Sequence, residues 1–173
     1  DCVRAPMDAL LTELTPEFGT PKLFRPYRDV RFSADKAPYK TAIAARLGEG
    51  GYVHLSAEGL FVGAGMYHLE PAALDRYRAA VAHDATGAQL EQLVDQTRQA
   101  GLDVTAHDIL KTAPNGFAKD HPRIDLLRHK GLVAMKHWQP AAWLGTRQAK
   151  ERVVGALRAA GPLNHWLIKN VGS

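Results

Sequence analysis

Two stretches of this 173-residue chain carry the side chains that could hold a negatively charged ligand. The first runs from Lys22 to Lys40 and sets Lys22, Arg25, Arg28, Arg31, Lys36 and Lys40 against Asp29 and Asp35, a local excess of +4. The second runs from Phe117 to Trp138 and sets Lys119, Arg123, Arg128, Lys130 and Lys136 against Asp120 and Asp125, an excess of +3. The whole chain carries only +4, so the remainder sums to −3 and the positive charge is concentrated. A guanidinium offers a planar fork of donors that matches phosphate or carboxylate, and a tyrosine adds a hydroxyl or a stacking face. This pattern assigns Arg25, Arg28, Arg31, Lys36, Lys40, Lys119 and Arg123 to an anionic ligand, with Tyr39 and His121 as the reactive candidates. If both stretches flank one depression, a small phosphate- or carboxylate-bearing molecule is the expected partner.

The same residues admit other readings. Basic side chains interleaved with Tyr27, Phe32 and Tyr39 suit a nucleic-acid surface, where the charges track the backbone and the rings stack bases. The modest net charge and the interrupting aspartates speak against it. A charged edge strand that discourages sheet-to-sheet pairing is the plain structural alternative, as is a protein-interaction domain. A concave pocket favours the small molecule, an open groove the nucleic acid, and a flat or self-paired surface the third.

Other chemistry finds less support. His54, His68 and His121 lack the short spacings of a metal strand or helix, so no metal is expected. Asp120, just before Pro122, reads as a helix cap more readily than as the partner of a catalytic His121. The lone Cys2 excludes cysteine zinc sites and internal disulfides, and no nucleophile elbow or phosphate loop is present. Nothing calls for a cofactor.

These residues must be positioned by a regular framework. Met7, Leu10, Leu11 and Leu14 have helical spacing, ended by Pro16 and Gly19. A strand is expected early in Lys22 to Phe32 and another over Tyr39 to Ala45. Tyr52 to Ser56 and Leu60 to Tyr67 form a hairpin across Ala57, Glu58 and Gly59, with Gly63 and Gly65 marking a bulge or a close backbone approach. Helices follow over Pro71 to His83 and Gly87 to Ala100. Short strands are expected within Leu102 to Thr112, a short helix over Pro122 to Lys130, and a strand over Leu132 to Trp138. The last helix spans Thr146 to Asn170 with a break at Gly161 and Pro162. Strands cluster and do not alternate strictly with helices. The expected fold is therefore α+β, a mainly antiparallel sheet with helices packed on one face, in a single domain over residues 1–173.

Composition agrees with a folded domain: 46% hydrophobic and 23% charged residues are ordinary for a globular chain. No apolar run approaches the ~20 residues of a membrane span, and no signal-peptide pattern opens the chain. With a single cysteine, that makes the cytoplasm the expected location and excludes the membrane as a partner.

Three motifs occur together in order: Phe24-Arg25-Pro26-Tyr27-Arg28-Asp29-Val30-Arg31-Phe32 continuing to Thr41, then Gly51 to Tyr67, then Lys119-Asp120-His121-Pro122-Arg123-Ile124-Asp125-Leu126-Leu127-Arg128. With the ending Pro162-Leu163-Asn164-His165-Trp166-Leu167, they resemble the bacterial and fungal family called domain of unknown function 2461 over essentially the whole chain. Family members carry a further N-terminal helical segment with a Trp-Phe pair. The resemblance implies that this chain, which starts without Met, lacks that segment. It implies no chemistry.

Overall fold

The computed structural model describes residues 4–24, 42–48 and 50–172. Its strands form one six-stranded antiparallel sheet in the order β1-β2-β3-β4-β6-β5, with helices packed against it. The strands are β1 (Pro21–Leu23), β2 (Ala42–Leu47), β3 (Gly51–Ser56), β4 (Gly59–Met66), β5 (Asp103–Thr105) and β6 (Leu132–Trp138). The helices are α1 (Arg4–Phe18), α2 (Pro71–Ala82), α3 (Asp84–Gln99), α4 (Ile124–Leu127) and α5 (Arg147–Asn170). The fold is α+β, as the clustering of strands predicts. The expected strands over Lys22 to Phe32 and Tyr39 to Ala45 fall largely on residues outside the described ones.

The chain divides into two compact units, residues 1–62 with 137–156, and residues 63–136 with 157–173. In the first, Met7, Leu11 and Leu14 of α1 are buried, as are Ala45 and Leu47 of β2 and Val53 of β3. In β2 the exposed Arg46 stands between the buried Ala45 and Leu47, and Val53, opposite Ala45, is the buried residue of β3, so one face of these strands is in the core. In the second unit Tyr77, Val81, Leu90, Val94, Leu132, Leu163, Trp166 and Leu167 form one apolar cluster. Its polar groups are answered: the buried Tyr77 hydroxyl donates to the Leu126 carbonyl at 2.8 Å, and Trp166 Nε1 donates to the Thr86 carbonyl at 3.1 Å. Burial pushes the Tyr77 phenol well above its ordinary value.

Three helix boundaries differ from the sequence expectation. Helix α1 continues through Pro16 to Phe18 and stops at Gly19, which takes φ 86° and donates its N–H to Thr15. Helix α5 passes through Gly161 and Pro162 without a break. A proline inside a helix costs about 3 kcal/mol. Burying leucine-sized side chains returns about 1.5–3 kcal/mol each, and Leu157, Leu163, Trp166 and Leu167 are all buried on either side of the proline. Helix α3 begins at Asp84, so Gly87 lies inside it; a cationic side chain occupies the space a Cβ at Gly87 would need.

In the hairpin of β3 and β4, Gly65 takes φ 135°, and the backbone of Leu132 and Val133 lies where its Cβ would point. The close approach expected there is the approach of β6.

Candidate functional site

In the second basic stretch, the described cations are mostly tied to the fold. Arg123 is the clearest case, only 9% exposed. Its Nε donates to the Val81 carbonyl at 2.6 Å. Its Nη2 donates to the Ala82 carbonyl at 3.0 Å and to Asp84 Oδ1 at 3.2 Å, and Nη1 lies 3.9 Å from Glu91 Oε2. The guanidinium thus caps the carbonyl end of α2, whose last acceptors have no intrahelical partner, and ties it to α3. Gly87 is the opening through which that side chain passes.

Its neighbours follow the same pattern. Arg128 Nε donates to the Leu110 carbonyl at 2.6 Å, Lys130 Nζ pairs with Asp108 at 2.8 Å, and Lys136 Nζ donates to the Gly101 carbonyl at 3.0 Å. The Lys130 ammonium holds the Asp108 carboxyl below its ordinary value. Lys119 is exposed with no ion pair among the described residues. His121 Nδ1 accepts the Arg123 backbone N–H at 3.0 Å. The sequence assigns Asp120 as the cap of the helix that follows, but Asp120 is exposed and α4 carries no side-chain cap.

Arg25, Arg28, Arg31, Lys36, Tyr39 and Lys40 lie outside the described residues, and so does any distance from Arg28 to Arg123. The start of that stretch, Lys22 to Phe24, is described, and it leads to a face the sequence reading missed. Lys22 of β1 stands opposite Arg46 of β2, and Arg46 stands opposite Tyr52 of β3. Side chains directly opposite in an antiparallel ladder share a face, so Lys22, Arg46 and Tyr52 make one row. In the next row, Phe24 donates its N–H to the Ala44 carbonyl at 3.0 Å, and Ala44 is opposite His54. The small Ala44 side chain leaves room for the Phe24 ring to reach Tyr52, at a centroid distance of 6.1 Å and 55°. Tyr52 in turn meets Phe61 at 6.0 Å and 70°, and His54 at 6.3 Å and 29°. Arg46 and Lys22 are exposed, Phe24 is 43% exposed, and Tyr52, His54 and Phe61 are half-buried against one another. That partial burial pushes the Tyr52 phenol up. The opposite parity, Ala45, Leu47 and Val53, is the core side. The alternation in Arg46, Tyr52, His54 and Phe61 was readable, but only the register joins them.

In the second unit, the exposed Tyr67 hydroxyl and His107 Nδ1 are 2.7 Å apart and the rings stack at 4.6 Å. The phenol donates when the imidazole carries its proton on Nε2. Together with Lys130 and Asp108 and the bridge between Ile109 and His129, this contact fastens residues 107–110 to Tyr67 and to residues 128–130. Among the described residues no three histidine, cysteine or acidic side chains gather as a metal site would need. No helix among them is long and apolar enough to cross a membrane.

His129 is 8% exposed and its Nδ1 has no hydrogen-bond partner among the described residues. Burial pushes its imidazole below the ordinary histidine value, Arg98 and Arg128 add to that, and Asp125 opposes it. Below about pH 6.5 the unfolded chain takes up a proton that folded His129 refuses, so stability must fall as pH drops through that value. Urea melts at about pH 7.5 and 5.5 should show the wild type losing more stability than His129→Gln. Equal losses would show that His129 contributes nothing.

The fold and these sites define an α+β protein with an aromatic and basic sheet face. The family of conserved hypothetical proteins with domain of unknown function 2461 matches residues 1–166, and the chain belongs to it. No curated protein and no solved structure matches the chain.

Proposed function

We propose that this protein binds an anionic ligand carrying a planar ring beside its phosphate or carboxylate, on the face formed by β1, β2, β3 and β4. The observation that carries this reading is the cross-strand pair of Lys22 and Arg46 beside the ring cluster of Phe24, Tyr52 and Phe61. Like charges directly opposite on neighbouring strands are destabilising, and no carboxylate pairs with either cation among the described residues. A bound anion turns that repulsion into attraction. The rings meet edge to face or tilted, so they leave aromatic surface for a ligand ring.

The connection between Phe24 and Ala42 carries Arg25, Arg28, Arg31, Lys36 and Lys40, and in this proposal it adds positive charge to the same ligand. Lys119 has no ion pair among the described residues, whereas the guanidinium of Arg123 is committed to α2 and α3.

Titrating a nucleoside 5′-monophosphate while following backbone amide resonances checks the proposal. Arg46, Tyr52, His54 and Phe61 should shift together, and Arg46→Glu should remove the response. Shifts confined to other residues, or unchanged in Arg46→Glu, would overturn it. Inorganic phosphate alone should move the resonances of Lys22 and Arg46 more than those of Phe61.

A further inference from the structure

We infer that the occupant of this face is single-stranded nucleic acid, an inference that rests on the ring-and-anion reading above. Three features of the face point to a polymer over a free nucleotide. The first is repetition. Phe24 just past the end of β1, Tyr52 of β3 and Phe61 of β4 are spaced at 6.1 and 6.0 Å, a series of rings where one ligand ring needs one. The second is shape. The rings and cations stand on the surface of a sheet, with Lys22, Phe24 and Arg46 exposed. A small molecule gains most of its affinity by being enclosed, and a strand laid along a surface does not need enclosure. The third is the pairing of charge with rings. Lys22 and Arg46 lie in the same cross-strand row as Tyr52. A strand presents its phosphates beside its bases in the same repeating way, and aromatic platforms with flanking cations hold such strands with little sequence preference.

The face also favours unpaired over paired strands. Stacking on Phe24, Tyr52 and Phe61 needs bases whose faces are free, and in a duplex those faces are already stacked. The charges alone act on duplex and single strand alike.

Fluorescence anisotropy with labelled oligonucleotides tests the inference on the intact chain. Affinity should rise more than about tenfold from a mononucleotide to a strand of about six nucleotides, as successive rings are filled. Tyr52→Ala and Phe61→Ala should each weaken the longer strand by about fivefold or more. Arg46→Ala, at an exposed position that spares the core, should reduce the slope of log affinity against log salt by about 0.7. Thermal melts of the ring variants separate lost binding from lost folding, and the Arg46→Ala arm stands whatever they show. A mononucleotide that binds as tightly as the longer strand sinks the polymer inference and leaves the ring-and-anion reading intact. A duplex that binds as tightly as the single strand also overturns it. If neither mononucleotide nor strand binds at low salt, both readings fail.

Discussion

Replacing Arg123 with alanine should cost about 3–5 kcal/mol of stability, because it leaves the Val81 and Ala82 carbonyls without their charged donor, at about 1–3 kcal/mol each, and removes a packed side chain. The guanidinium satisfies the Val81 and Ala82 carbonyls at the end of α2 and meets Asp84 and Glu91 of α3. Asp84 is exposed, so its ion pair adds little; the carbonyl bonds and the side-chain packing carry the effect. Arg123→Lys should recover only a minor part, because an ammonium on a flexible stem cannot reproduce a planar fork. Gly87 belongs to the same construction. Glycine to alanine inside a helix ordinarily stabilises by about 0.5–1 kcal/mol. At Gly87 the new methyl would meet Arg123 Nε and Cδ and the Val81 carbonyl, so the sign should reverse to a loss of ~2 kcal/mol or more. The two changes should be non-additive, since each displaces the same guanidinium. Chemical denaturation of both single variants and the double variant gives the coupling energy; strict additivity would show that the two positions act separately.

Trp166→Ala should be comparably severe, about 3–5 kcal/mol. The ring is 2% exposed, meets Tyr77 edge-on at 6.4 Å, and spends its only donor on the Thr86 carbonyl at the start of α3. Trp166→Phe keeps much of the volume and the edge-to-face contact while leaving Thr86 without that donor, so a loss of ~1–2 kcal/mol is expected. The difference between the two variants in urea melts therefore separates packing from the hydrogen bond. A Trp166→Phe loss as large as that of Trp166→Ala would assign the effect to the bond.

Helix α5 is where the sequence alone misleads. Pro162 predicts a break, and the break does not occur because Leu163, Trp166 and Leu167 are buried together beyond it. Local rules price the lost hydrogen bond but not the burial of side chains whose partners lie some eighty residues away, Tyr77 and Leu90 among them. The start of α3 fails for a similar reason. Gly87 reads as a helix boundary until Arg123 is seen to fill its empty side.

The sequence by itself determined the α+β class, the hairpin of β3 and β4, the extent of β6 and the family. Those follow from period-two alternation, glycine placement and motif order, all of which are local or linear. It also located the positive charge. What only the tertiary structure decided is what each charge does. Arg123, Arg128 and Lys136 spend theirs on backbone carbonyls and Lys130 on a carboxylate, whereas Lys22 and Arg46 meet across two strands beside Tyr52. A cation's role depends on which acceptor lies within about 3 Å of it, and the acceptors here are brought by register and helix packing from distant parts of the chain.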